Sequence, residues 1–204
     1  MISIIDYGMG NLRSVYNAFA HLGIDACITD NEMEILKADK VVLPGVGSFH
    51  QAMENIRLRH LEDTLKRVFD HEKPILGICL GMQLLVDWGL EEGMTKGLGF
   101  IPGHVEKLQN HPSYKIPHIG FNRVFFDSTN KGARLFNGIE SGDNFYFVHS
   151  YQVLCDDPAH VIAYTKHGET FVSAIARDHV YGLQFHPEKS RETGLKVLKN
   201  FASL

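Results

Sequence analysis

The chain has 204 residues, 20 of them lysine or arginine and 24 aspartate or glutamate, with a formal net charge of -4 and 44% hydrophobic residues. That length suits one α/β domain with its own core, so 1–204 is read as a single domain, and the lack of a basic excess or stripe argues against nucleic acid as a partner. No run approaches the roughly 20 apolar residues of a membrane span, and the amino terminus has no basic region before its short apolar run, so neither a membrane segment nor a signal peptide is expected.

In chain order, residues 2–5 form a short β-rich run that ends in the turn Asp6-Tyr7-Gly8-Met9-Gly10. Asn11 can cap the helix that follows, where Leu12, Val15, Phe19 and Leu22 fall at helical spacing and Gly23 marks the end. Residues 24–29 and 40–43 are strand candidates, the second running into Pro44-Gly45-Val46-Gly47. Residues 48–71 have a helical pattern carried by Met53, Ile56, Leu61, Leu65, Val68 and Phe69, and 75–78 is a fourth strand. Strands alternating with helices over the first 90 residues imply a mostly parallel sheet covered on both faces. Between Leu98 and Ala176 short β-like runs at 105–108, 119–126, 145–148, 161–165 and 171–175 suggest antiparallel strands, either added to that sheet or layered on it. Residues 180–185 form the last strand and 191–201 a terminal helix with Leu195, Leu198 and Phe201 on one face.

The chemistry concentrates at Gly77-Ile78-Cys79-Leu80-Gly81, directly after the apolar Pro74-Ile75-Leu76. This is a strand, a sharp turn with a cysteine at its apex, and a helix opening at Met82-Gln83-Leu84-Leu85. Side chains at either flanking glycine would crowd a strained backbone. A thiol facing the amino end of a helix is favoured as thiolate, lowering a pKa that is roughly 8.5 in free cysteine. Cys27, Cys79 and Cys155 are odd in number, far apart and without CxxC or metal spacing, which suggests a reducing cytoplasm, no disulfide framework and no metal site. Cys27 and Cys155 read most simply as inert thiols.

Such a nucleophile needs a base and oxyanion donors. In Phe185-His186-Pro187-Glu188, His186 and Glu188 lie two residues apart on one side of an extended segment, with Pro187 restricting the backbone between them. A histidine that deprotonates a thiol needs a carboxylate on its other nitrogen. An arbitrary HxE is more often a surface pair in a turn, and the cysteine elbow elsewhere in the chain reverses those odds. Pro44-Gly45-Val46-Gly47-Ser48 leaves backbone N–H groups open to an oxyanion, with the N–H of Leu80 as second donor. It also fits a plain turn that opens a helix, with Ser48 as cap.

Gly77-Ile78-Cys79-Leu80-Gly81-Met82-Gln83 together with His186-Pro187-Glu188 resembles the triad-type, class I glutamine amidotransferases. More narrowly, Asp6-Tyr7-Gly8-Met9-Gly10-Asn11, Pro44-Gly45-Val46-Gly47-Ser48-Phe49, Ile116-Pro117-His118-Ile119-Gly120-Phe121-Asn122, Tyr146-Phe147-Val148-His149-Ser150-Tyr151 and His186-Pro187-Glu188-Lys189-Ser190 resemble the glutaminase subunits of imidazole glycerol phosphate synthases. The resemblance spans nearly the whole chain and implies a flavodoxin-like α/β fold of mostly parallel sheet with added antiparallel strands. It implies glutamine hydrolysis by Cys79 as nucleophile, His186 as base and Glu188 as its orienter, with oxyanion donors from Val46 or Gly47 and from Leu80. Gly47, Gln83, Ser150 and Tyr151 would hold glutamine, and no cofactor is required.

It further implies a (β/α)8-barrel partner that receives the ammonia, bordered by Asn11, Phe121, Tyr146 and Lys189. On spacing alone Lys189 is a solvated charge. Phe121 stands where the family usually has tryptophan, which keeps an aromatic surface and loses an indole donor. An alternative destination for the ammonia is amidine formation on surface-glycan sugars beside a barrel-like paralogue. Cysteine-elbow proteases of related architecture place a histidine after the nucleophile, where this chain has Leu80. His118 and His149 lack metal spacing and read as hydrogen-bonded structural histidines, and Trp88 as packing.

Overall fold

The computed structural model describes residues 1–109 and 114–204. Its first half runs β1 (Ile2–Ile5), α1 (Leu12–His21), β2 (Ala26–Thr29), α2 (Glu32–Lys37), β3 (Lys40–Gly45), α3 (Phe49–Leu58), α4 (Leu61–Asp70), β4 (Ile75–Cys79) and α5 (Leu80–Leu84). The second half contains β5 (Val86–Gly89), β6 (Thr95–Lys96), β7 (Ile101–Lys107), β8 (His118–Arg123), β9 (Asn144–His149), β10 (Tyr151–Cys155), β11 (Val161–His167), β12 (Glu169–Arg177), β13 (Val180–Leu183) and α6 (Arg191–Ala202).

Local chemistry sets the helix ends. Asn11 Oδ1 accepts from the Ser14 N–H at 3.3 Å and opens α1, which closes before Gly23 at φ +69°. Asn31 Oδ1 accepts from both Met33 and Glu34 and opens α2, a short helix the sequence pattern passes over. The single helical pattern expected over 48–71 is two helices. Phe49, Ala52, Met53 and Ile56 form one buried stripe, and Leu61, Thr64, Leu65 and Val68 a second. The five-residue step from Ile56 to Leu61 breaks the helical period, and the chain turns there with His60 at φ +56°.

Among the described residues, a seven-stranded sheet has the order β11-β12-β13-β4-β3-β1-β2. From β13 to β2 the pairing is parallel, while β12 and β11 join as antiparallel edge strands. The expected antiparallel additions therefore belong partly to this sheet. The rest make a separate four-stranded sheet, β10-β7-β5-β6, and a two-stranded ribbon, β8-β9. Both faces of the main sheet are covered, which explains why β1 and β4 are buried at every position. Ile4, Val42, Leu76 and Ile78 pack with Phe19, Val197 and Phe201 on one side. Ile5, Val41, Leu43 and Ile75 pack with Met53 and Leu65 on the other. Strand β4 lies between β3 and β13, so its carboxyl end opens into the crevice where sheets of this kind hold ligands.

Candidate active site

Cys79 is the last residue of β4 and the residue before α5, with φ +55° and ψ -110°. A non-glycine residue at such a φ is strained, and strain of this kind persists where the surroundings over-determine it. The two flanking glycines do so by close approach. A Cβ on Gly77 would meet Gly81 O at 2.5 Å, and one on Gly81 would collide with the Leu43 carbonyl of the adjacent strand. The expectation that side chains at both positions would crowd the elbow holds, and the positive φ falls on the cysteine itself. Its thiol donates to the Val148 carbonyl at 3.7 Å, and the Gln184 amide donates to the sulfur at 3.8 Å.

Strand β13 runs parallel to β4, with Leu183 opposite Ile78, so the residues after it emerge beside Cys79. His186 N–H donates to Tyr146 O at 2.8 Å, and the Ser190 hydroxyl donates to His186 O at 2.6 Å while accepting from Tyr146 N–H at 2.9 Å. A 3₁₀ turn over Pro187–Lys189 then brings Glu188 back. His186 Nδ1 and Glu188 Oε1 are 2.8 Å apart, with side chains only 3% and 1% exposed. Burial opposes charge on this ring, but the Cys79 sulfur and the Glu188 carboxylate together raise its pKa from 6.5 to about 9. Among the described residues Nε2 has no aligned hydrogen-bond partner, so the sulfur acts on the ring by proximity. Such contacts tighten when substrate arrives.

A cavity of about 280 Å³ is lined by Val46, Gly47, Cys79, Leu80, Gln83, Ser150 and Tyr151, joined by Glu91, Pro117, Val148 and His149. Every residue expected to bind glutamine or an oxyanion is therefore on one wall or another of the space in front of the thiol. Gly47 has φ +108°, and a Cβ there would meet Met9 Cε at 2.5 Å, so the Asp6–Gly10 turn braces the loop from outside. Ser48 Oγ accepts from Gln51 N–H at 3.2 Å, so this segment is a helix-opening turn as well as a cavity wall. Gln83 Nε2 spends both hydrogens within the protein, on Tyr151 O at 3.2 Å and Gln184 Oε1 at 3.1 Å. Its carbonyl oxygen is what remains to offer a ligand.

Three residues near the thiol have no prior assignment. Gln184, fully buried, joins Gln83 to Cys79; its place two residues before His186 on the same side of the chain was the available signal. Glu91 Oε2 accepts from Phe49 N–H at 2.7 Å and reaches the cavity from the far end of β5, with its carboxyl raised by burial. Tyr7 is fully buried, its hydroxyl lies against Gly45, and burial with the nearby Cys79 charge lifts the phenol far above its ordinary range.

Of the residues expected to face a partner, Phe121 is 46% exposed and packs edge-to-face with Tyr146 at 5.5 Å. Lys189 Nζ lies over the Tyr146 ring at 5.7 Å and the Arg191 guanidinium over Phe121 at 5.0 Å. Lys189 therefore belongs to an aromatic–cation patch directly outside Glu188. Asn11 is exposed on its own element, as cap of α1. Trp88 stacks on His104 at 4.4 Å, a packing role. Burial and the acids Asp156 and Asp157 hold the Cys155 thiol up at about 12, which leaves it inert.

A buried cysteine, histidine and glutamate gathered at the carboxyl end of a mostly parallel sheet have the make-up of an activated thiol with an oriented base. Residues 3–203 match the class-I glutamine amidotransferase family, and the chain belongs to it. It is 47% identical over 202 residues to imidazole glycerol phosphate synthase subunit HisH 2 of Methanococcus maripaludis, covering 98% of each chain. It is 46% identical over 205 residues to subunit HisH 1 of Campylobacter jejuni strain RM1221, covering 100% of both. A solved glutamine amidotransferase, 16% identical, shares the fold with a TM-score of 0.73 over 100% of this chain and 99% of its own.

Proposed function

We propose that the chain is the glutaminase subunit of an imidazole glycerol phosphate synthase. It works in the cytoplasm and passes ammonia to a (β/α)8-barrel partner in histidine biosynthesis. The observation that carries this reading is the position of Cys79 on the wall of the 280 Å³ cavity, with His186 and Glu188 behind it. The names of the relatives favour this destination for the ammonia over amidine formation on surface glycans. No described helix is long and apolar enough to cross a membrane, which fits a cytoplasmic site of action.

In the proposed reaction His186 Nε2 takes the thiol proton and Cys79 Sγ attacks the side-chain carbonyl carbon of glutamine while backbone N–H groups of Leu80 and of Val46 or Gly47 receive the oxyanion. The His186 imidazolium gives its proton to the departing nitrogen, so ammonia leaves and a glutamyl thioester remains. The now neutral ring takes a proton from water, the hydroxide equivalent cleaves the thioester, and the ring returns the proton to the departing sulfur, so glutamate is released and the thiol is restored. Glu188 keeps Nδ1–H facing it and stabilises each imidazolium. Glu91 and the Gln83 carbonyl suit the α-ammonium of glutamine, and Ser150 and Tyr151 the opposite side.

Free ammonia is lost by diffusion and protonation, so the product is useful only if handed on. The patch of Phe121, Tyr146, Lys189 and Arg191 beside Glu188 suits that docking. The test is purification with a candidate barrel synthase, followed by glutaminase assay with and without the partner and its ligand. Activity that rises on assembly supports the proposal. A Cys79→Ala chain that abolishes glutamine-dependent synthesis and leaves synthesis from added ammonia intact supports the role of the thiol; loss of both activities overturns it.

A further inference from the structure

His118 and His149 stand opposite each other on β8 and β9, only 3% and 6% exposed, and the proposed reaction uses neither. Their hydrogen-bond roles follow from the two ends of one chain. His149 Nδ1 lies 2.8 Å from the Tyr151 carbonyl, which can only accept, so Nδ1 carries the hydrogen and Nε2 is an acceptor. The group facing that Nε2, at 3.0 Å, is His118 Nδ1, which must therefore donate. His118 Nε2 is left as acceptor and faces Asn122 Nδ2 at 3.2 Å. Asn122 cannot be turned the other way, because its Oδ1 accepts from Arg123 N–H at 2.8 Å and its Nδ2 also donates to Lys166 O at 2.9 Å.

Every donor thus points the same way, from Asn122 through both rings to Tyr151 O. That carbonyl also accepts from Gln83. At the other end, Asn122 follows Phe121 on β8 and faces the opposite side of the ribbon, with His118, while Phe121 is 46% exposed. A further proton on either ring would set donor against donor. Burial, with His149 and His167 nearby, holds His118 at about 3. Burial, with His167 and His186 nearby and the Tyr151 bond opposing, holds His149 at about 4. The stack of His167 on His118 at 4.1 Å closes the remaining side.

We propose that His118 and His149 are positioning residues, both bearing hydrogen on Nδ1, which tie the Tyr151–Gln83 wall of the cavity to the ribbon presenting Phe121. The proposal rests on the reading of that cavity as the glutamine site. Its expected signature is a change in glutamine affinity, because the two rings meet the cavity at Tyr151 and Gln83 and reach the sulfur only at second remove, through Gln184.

Two measurements test it. In ¹⁵N NMR of the full chain labelled at histidine, both rings should show the neutral Nδ1–H tautomer with no titration between pH 5 and 8. An Nε2–H tautomer, or titration near 6.5, overturns the proposal. In the complex with the barrel synthase, His118→Phe keeps the ring packing and removes the donor to His149, and should raise KM for glutamine about tenfold with kcat changed less than threefold. His118→Asn, which restores a donor at the Nδ1 position, should recover most of the loss. An unchanged KM in His118→Phe, or equal damage in both variants, overturns the proposal. If the wild-type complex turns over no glutamine, the functional reading fails, and the tautomer measurement still decides the pair.

Discussion

His186 Nδ1 stands 2.8 Å from Glu188 Oε1, and the two side chains, only two residues apart, are both almost wholly withdrawn from water. A carboxylate held this way fixes which ring nitrogen carries hydrogen and stabilises the charged ring. Glu188→Gln keeps the shape and removes the charge. It should lower kcat for glutamine hydrolysis strongly, toward the roughly 10⁴-fold seen when the orienting carboxylate of a serine triad is neutralised, with KM changed little. Steady-state kinetics in the assembled complex checks this; a kcat within threefold of wild type would make Glu188 a structural residue.

The same pair sets a pH dependence. The His186 pKa is raised from 6.5 to about 9, so the native ring holds a proton that the unfolded one releases. In the proposed reaction the imidazolium protonates the departing amide nitrogen, so turnover should hold through neutrality and fall as pH passes about 9. The stabilising contribution is fully present below about 6.5 and is lost as pH rises through about 9, because there the native state binds more protons than the unfolded one. Denaturant unfolding from pH 6 to 10 should therefore slope downward more steeply in wild type than in His186→Asn. Equal slopes would refute the raised ring.

Much of this was legible because it is local. Gly77, Cys79 and Gly81 share one turn, and His186 and Glu188 are close in sequence, so the cysteine elbow was enough to single out the pair; their contact is made by the 3₁₀ turn over Pro187–Lys189 and not by the extended segment expected there. The break between α3 and α4 was also present as the step from Ile56 to Leu61, without the glycine or proline that usually marks one. What the sequence hid depends on register between distant strands. His118 meets His149 through 31 residues of chain only because β8 pairs with β9. Glu91 reaches the cavity only because the four-residue strand β5 places it there, and so short a strand gives no readable period.

Gln184 touches the nucleophile through its amide, at 3.8 Å from Sγ, and is itself held by Gln83. Once the sulfur has lost its proton in the proposed reaction this is a hydrogen bond to a charged acceptor, worth about 1.5–3 kcal/mol. Gln184→Leu, which fills the space without a donor, should reduce kcat about tenfold or more. The rate of Cys79 alkylation by iodoacetamide at pH 7 should fall in parallel. An alkylation rate equal to wild type would mean the amide does nothing for the sulfur.

Gly81 tests whether the elbow is held by close approach or by backbone conformation. A Cβ there collides with the Leu43 carbonyl and lies 2.8 Å from its carbon, both backbone atoms that cannot swing aside. Gly81→Ala should lose at least about 3 kcal/mol, at or beyond the usual cost of overpacking a core. Gly23 has open space around it and a φ of +69°, so Gly23→Ala should lose only the conformational cost of about 1–2 kcal/mol. Comparable losses in the two variants, read by urea unfolding, would remove the close approach as the reason for glycine at 81.

Tyr7 presents the opposite case, a group that costs stability where it lies. Its hydroxyl is buried with no hydrogen-bond partner among the described residues, pressed against Gly45 on the strand beside Cys79. A buried hydroxyl left unsatisfied costs about 1–3 kcal/mol, whereas the ring around it packs well. Tyr7→Phe removes only the oxygen, so urea unfolding should show the variant equal to wild type or more stable by about 1 kcal/mol or more. A loss of 1 kcal/mol or more would mean the hydroxyl is bonded in solution. Activity then separates packing from chemistry: a phenylalanine that merely fills space leaves kcat unchanged. A fall in kcat with stability gained would place the Tyr7 oxygen among the groups that arrange the Gly45–Gly47 loop for the oxyanion.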